Sequence, residues 1–128
     1  MSMCKISLKE LKDEDSFTKV DFRGCNFTNA YLSNKTFESC NFNDCKLTGV
    51  NFYKSELSNT EFIDANLTNG LLKDARFTDS DLTGANLTGV YATDAFFIDS
   101  VLTRANLSDA DLTGAHFTDA NLTSADWC

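Results

Sequence analysis

Ala105-Asn-Leu-Ser-Asp109 is followed without a gap by Ala110-Asp-Leu-Thr-Gly114, and the same five-residue unit returns as Ala65-Asn-Leu-Thr-Asn69, Ala85-Asn-Leu-Thr-Gly89 and Ala120-Asn-Leu-Thr-Ser124. Taking the large apolar residue as the centre of each unit, the register runs through 17, 22, 27 and onward to 127 without a slip. This gives 23 centres, all Phe or Leu except Ala92 and Trp127. Two residues before each centre stands a smaller residue, such as Val20, Cys25, Ala30, Cys40, Cys45, Val50 and Ala65, with Asp15 and Lys35 as exceptions. A period of five fits neither a helical face at 3.6 nor a long strand at 2, so the chain must turn a corner in every unit. The two inward residues are spaced by two, as a short extended segment requires. The fifth position is mostly Gly, Asn or Asp, which tolerate tight turns. Proline is absent, leaving every backbone N–H free to bond between coils.

A spacing of twenty residues aligns like with like. One column reads Phe17, Phe37, Leu57, Phe77, Phe97 and Phe117, and another Phe27, Leu47, Leu67, Leu87, Leu107 and Trp127. Four units per coil make a square solenoid of nearly six coils, roughly 25 to 30 Å long at ~4.8 Å per coil. Over residues 15 to 128 the small-Asn/Asp-Leu/Phe-Thr/Ser-x pattern resembles the pentapeptide-repeat protein family. The resemblance implies an all-β fold, a right-handed quadrilateral β-helix. It supplies the handedness that spacing alone cannot, and it says little about function.

Residues 1–14 lie outside the repeat and are expected to form an N-terminal cap segment, with 15–128 forming the solenoid. Met3, Ile6, Leu8 and Leu11 fall at near-helical spacing, which predicts a short helix or irregular plug over the first coil. Beginning at Met1 suggests a native start. The other end stops at Trp127-Cys128, leaving room for an end-to-end homodimer or for further sequence. No stretch reads as a signal peptide or membrane span. The five cysteines, at 4, 25, 40, 45 and 128, lack the density of a secreted disulfide scaffold, so we expect reduced core thiols and a cytoplasmic location.

A solidly packed solenoid offers no concavity for catalysis, and no nucleophile, base or metal constellation is evident. The expectation is therefore not an enzyme, with no cofactor and no metal. The single histidine, His116, points outward. The Asn-x-Thr/Ser triplets at Asn26, Asn66, Asn86, Asn106 and Asn121 arise from the repeat itself. The polar face that carries Asn26, Lys46, Asn66, Asn86 and Asn106 with Thr28, Thr48, Thr68, Thr88 and Ser108 reads as a ladder that stabilises stacked coils.

Outward apolar residues are not needed by the fold and mark the candidate partner surface: Tyr31, Tyr53, Leu71 and Tyr91 on one face, then Phe96, Ile98 and Val101. The leading expectation is thus a non-catalytic interaction or scaffold module for an unknown protein partner. The net charge of −8 gives the alternative, because residues 65–128 carry −6 of it. Asp79, Asp81, Asp94, Asp99, Asp109, Asp111 and Asp119 form a candidate acidic surface that would repel nucleic acid and anionic membrane. Some family members that protect bacteria from quinolones resemble duplex DNA and bind DNA gyrase. The resemblance therefore implies, as the second expectation, a DNA-mimicking topoisomerase regulator. This chain lacks the C-terminal dimerisation module and the inserted loops of those proteins.

Overall fold

A computed structural model describes residue 4 and residues 6–127. One helix, α1 (Leu8–Asp13), precedes three short strands, β1 (Ser16–Thr18), β2 (Thr36–Glu38) and β3 (Glu56–Ser58). The strands pair in parallel in the order β1-β2-β3, with Phe17 against Phe37 and Phe37 against Leu57. Between and beyond the strands the pairing continues as isolated parallel bridges that all join residues twenty apart, from Asp21 with Asn41 to Asn106 with Asp126. The twenty-residue column is therefore the physical repeat of the molecule.

Backbone bonding explains the five-residue pattern, because each of the five N–H groups in a unit has its own destination. Around Phe42, the Asn41 N–H donates back to Val20 O, while those of Phe42 and Asp44 donate forward to Glu61 O and Ile63 O. The Cys45 N–H closes the turn on Phe42 O. The remaining donor, on Asn43, reaches Asn41 Oδ1 at 2.8 Å. The same side-chain acceptor serves Thr28 through Asn26, Thr83 through Asp81 and Thr113 through Asp111. Where Asn or Asp stands before a centre it is thus a backbone partner first, which is why these two residues recur there.

Every fifth residue from 19 to 124 has positive φ, between 53° and 71°. Asn, Asp and Gly adopt this left-handed conformation at the least cost, so they dominate the corners, while Lys19, Lys54 and Arg104 are held there by their neighbours. At Gly49 the corner also demands a missing side chain. A Cβ would lie 2.2 Å from Asn29 Oδ1, on the corner one coil earlier.

The centres form the core. All of them from 17 to 107 are buried, and phenylalanines stack in columns: Phe22, Phe42 and Phe62 lie with centroids 4.7 and 5.0 Å apart and rings nearly parallel. The small inward column holds buried polar groups as well, each donating to the carbonyl of a centre 23 residues earlier. Cys40 reaches Phe17 O, Thr60 reaches Phe37 O, Ser80 reaches Leu57 O and Ser100 reaches Phe77 O. No described buried side-chain N or O atom is left without a partner.

The first segment forms α1, started by Ser7, whose hydroxyl accepts from the Glu10 N–H at 3.2 Å. Leu11 is fully buried and Ile6 packs against the core, whereas Leu8 is exposed. Met3 lies outside the described residues. The expectation of reduced thiols at every inward cysteine is corrected here. Cys4 and Cys25 are joined by a disulfide, with their Cα atoms 4.6 Å apart, while Cys40 and Cys45 are free and buried. Cys4 precedes the repeat and so has no register from which its neighbour could be read. The chain folds back and sets it on the first coil. The cytoplasmic expectation, which rested on reduced thiols together with the lack of a signal-peptide pattern, loses the first of those supports.

Candidate functional site

The twenty-residue column that runs Tyr31, Asn51, Leu71, Tyr91 and Asp111 is continuous by parallel bridging, and it places three large apolar side chains outward on one face. Tyr31 is 70% exposed, Tyr91 56% and Leu71 42%, whereas the described outward positions elsewhere are polar or half-buried, apart from Leu8 and Trp127. Beside this column Tyr53 is half-buried, its ring 5.2 Å from Lys54 Nζ. Tyr53, Leu71 and Tyr91, together with Asn51, Lys73 and Thr93, line a shallow groove of 420 Å³. Lys73 bridges Asp74 at 3.5 Å and Asp94 at 3.8 Å on the adjoining corners. These are half-exposed pairs that set a direction of charge rather than add much stability.

The remaining apolar candidates are placed differently. Phe96 lies past the Asp94 corner, on the next face, with its ring between two neighbours of its own column. The Arg76 guanidinium sits 4.5 Å from its centroid, and the His116 ring stacks on the other side at 4.5 Å and 8°. Ile98 is half-buried on that face, and Val101 is half-buried beyond the Asp99 corner. The structure therefore brings Tyr31, Tyr53, Leu71 and Tyr91 together and leaves Phe96, Ile98 and Val101 on two further faces. The spacing of twenty puts Arg76, Phe96 and His116 in one column, and the stacking of their side chains is added by the structure.

The acidic candidates divide into two kinds. Asp79, Asp94, Asp99, Asp109 and Asp119 are corner residues with φ between 56° and 59°, and Asp79, Asp99 and Asp119 stack along one corner. Asp81 and Asp111 sit before their centres and accept from Thr83 and Thr113. The Thr113 hydroxyl and N–H hold Asp111 below the usual carboxylate range. Asparagine would serve the same geometry at all seven positions, so the carboxylate charge is an addition to the structural role.

The inward thiols are held in their neutral form. Burial pushes the Cys45 thiol up to about 12, and its S–H, donating to Phe22 O at 2.8 Å, favours the same protonated form; burial raises Cys40 as well. On the Asn/Thr face, the hydroxyls of Thr28 and Thr68 donate to Asn26 and Asn66 within their own units. Among the described residues no three His, Cys, Asp or Glu side chains gather as a metal site. No described helix is long and apolar enough to cross a membrane.

Among curated proteins none matches the sequence. Among solved structures, Rfr23, a pentapeptide repeat protein from the cyanobacterium Cyanothece 51142, is similar with 22% identity and a TM-score of 0.62. The match covers 88% of this chain and 84% of that one, a likeness of fold. HetL, involved in heterocyst differentiation regulation in Nostoc sp. strain PCC 7120, aligns at 25% identity and a TM-score of 0.38, over 86% of this chain and 58% of its own. QnrB1, a plasmid-mediated fluoroquinolone resistance protein, aligns at 21% and a TM-score of 0.35, over 88% and 65%. This chain thus spans less than two thirds of the latter two. The family described as a pentapeptide repeat region matches residues 15–90, and pentapeptide repeats (8 copies) match 80–119 and 100–126. With residues 15–126 inside those matches, the chain belongs to the pentapeptide-repeat family.

Proposed function

We propose that this chain is a non-catalytic interaction module, a solenoid of nearly six coils closed at one end by residues 1–14, that binds a protein partner through its tyrosine face. The observation that carries this reading is the continuous column of exposed Tyr31, Leu71 and Tyr91 beside the groove walled by Tyr53. Tyrosine offers large contact area at small conformational cost, and the rigid ladder beneath holds the face in one shape before binding. The half-exposed Phe96, Ile98 and Val101 extend the contact around two corners if the partner is broad. Photocrosslinking from position 93, on the wall of the same groove, with identification of the adducts, tests the reading. Capture lost in the Tyr31→Ala/Tyr91→Ala double variant, with thermal unfolding unchanged, supports it. Capture that survives in that variant rejects this face.

A second reading is favoured by the stacked Asp79, Asp99 and Asp119, which run as a line of negative charge along one corner. Such a line suits a mimic of a nucleic-acid backbone that regulates a type II topoisomerase. The half-exposed Leu112, Phe117 and Leu122, with exposed Trp127, offer an apolar end on which two copies could join and lengthen that line. Supercoiling by DNA gyrase, measured over a salt series with and without a quinolone, decides it. Salt-sensitive inhibition or drug protection favours the mimic, and an unaffected enzyme at high protein concentration removes it.

A further inference from the structure

The disulfide joins two sulfurs in unlike surroundings. Cys25 fills a small inward position of the first coil and is fully buried, whereas Cys4 is exposed on the segment ahead of the repeat. That segment is lightly held. α1 has six residues, too few for a helix to persist by itself, and it buries only Leu11 completely. Clefts run along both of its sides. One, of 510 Å³, lies between Ile6, Glu10 or Asp13 and the first coil at Phe17 and Val20. The other, of 260 Å³, lies between Leu8 or Lys12 and the coil at Tyr31 and Leu32.

Two ties cross this seam. Lys35, at an inward position where small residues are the rule, sends its ammonium to Glu14 O at 2.6 Å and Lys12 O at 3.3 Å, bonding the end of the segment. The other tie is the covalent one, at the segment's beginning.

We propose that the Cys4–Cys25 disulfide is a thiol-exchange site that takes a low-molecular-weight thiol at Cys4 and thereby releases the N-terminal segment from the first coil. The external thiolate attacks Cys4 Sγ, the side open to solvent. The Cys4–Cys25 S–S bond breaks, the electron pair leaves on Cys25 Sγ, which takes a proton, and Cys4 is left as a mixed disulfide with the thiol. A second molecule of thiol then attacks the sulfur of the bound one, returning Cys4 as a thiol and leaving as the oxidised, symmetrical disulfide. Attack in the opposite sense, on Cys25, is blocked by the packing around it.

Cys45 is the internal competitor, since it occupies the same column as Cys25 one coil further on. Burial keeps it protonated near neutral pH, so it does not attack the intact disulfide at Cys25 Sγ to expel Cys4, and external thiol has the site to itself. With the covalent tie gone, the described part of the segment is held by the burial of Leu11, the partial packing of Ile6 and the bonds from Lys35. Its release uncovers the first coil around Phe17 and the surface beside Tyr31, which stands at the head of the tyrosine face. The proposal does not depend on what that face binds.

The test uses the full chain, oxidised, with reduced glutathione and separately dithiothreitol as probes, read by peptide mapping and by hydrogen exchange. Glutathione is expected on Cys4 and not on Cys25. Reduction should speed amide exchange in residues 16–32 by on the order of a hundredfold, as loss of a cross-link of this span implies, and leave residues 47–107 unchanged. Cys4→Ser should exchange like the reduced protein with or without oxidant, its protection at 47–107 showing that it is folded, and Cys45→Ala should behave as the parent chain does. The proposal is overturned by an air-oxidised chain without the Cys4–Cys25 link or by an adduct on Cys25. A Cys25–Cys45 disulfide after thiol treatment, or reduction that leaves exchange at 16–32 as it was, overturns it equally.

Discussion

The two ends of the solenoid are built from the same repeat and buried to different depths. At the end next to α1, Phe22, Phe27 and Leu32 are fully covered, Phe17 nearly so, and the segment above them is tied down by the Cys4–Cys25 disulfide and by Lys35. At the other end the corresponding centres Leu112, Phe117 and Leu122 are half-buried and Trp127 is 49% exposed. A coil is stabilised by neighbours on both sides, so a centre with one neighbouring coil contributes less than one with two. Repeat identity therefore does not set a residue's worth. Its place in the stack does.

The largest expected effect comes from equal truncations at unequal depth. Phe42→Ala empties a site stacked between Phe22 and Phe62 and should cost about 3–5 kcal/mol in urea unfolding. Phe117→Ala, at a half-buried centre whose ring stacks on Phe97 and meets Trp127 edge-on, should cost about 1–2 kcal/mol. Equal costs would break the comparison.

Lys35→Ala comes next. It restores the small residue usual in that column, yet it strips Glu14 O and Lys12 O of a charged donor and should cost about 2–3 kcal/mol. Hydrogen exchange should place the loss in residues 8–32. A variant as stable as the parent would show that repeat consensus outweighs the tie.

A smaller effect separates the thiol-bearing coils from the alanine-bearing ones. The folded Cys45 thiol keeps its proton up to about 12, whereas an unfolded thiol loses it at roughly 8.5. Between those values the native state binds the extra proton, so stability is intact below the lower one and falls as pH rises through the window. The slope should be at most about 1.4 kcal/mol per pH unit. Cys45→Ala, matching Ala65, Ala85 and Ala105 in the same column, should flatten that slope in denaturant titrations above pH 9.

The smallest change lies on the far half. Asp111, held low by Thr113, contributes above the ordinary carboxylate pKa, and that contribution is lost as pH falls through its depressed folded value. In an NMR titration Thr113→Val should move Asp111 upward toward the ordinary range.

The candidate face was largely legible before any coordinates. Tyr31, Leu71 and Tyr91 are spaced by multiples of twenty, so recognising the period also aligns them. Phe96 was legible only in position. That its ring is covered by Arg76 and His116 depends on how two side chains fold across a shared column. The carboxylates were legible as charge, and the fifth-position register placed Asp79 at a corner, but the hydrogen bonds that Asp81 accepts from Thr83 are facts of local geometry.

The sequence by itself determined the period, the inward residues and the register of twenty, because in a solenoid each residue's neighbours lie at a fixed separation along the chain. Only the tertiary structure decided what happens where that period does not reach. Residues before 15 carry no repeat, so the pairing of Cys4 with Cys25 and the bonding of Lys35 to Glu14 O required the segment to be folded back in space. Local periodicity specifies contacts between coils, and the contacts that close an end are non-local and have no period to announce them.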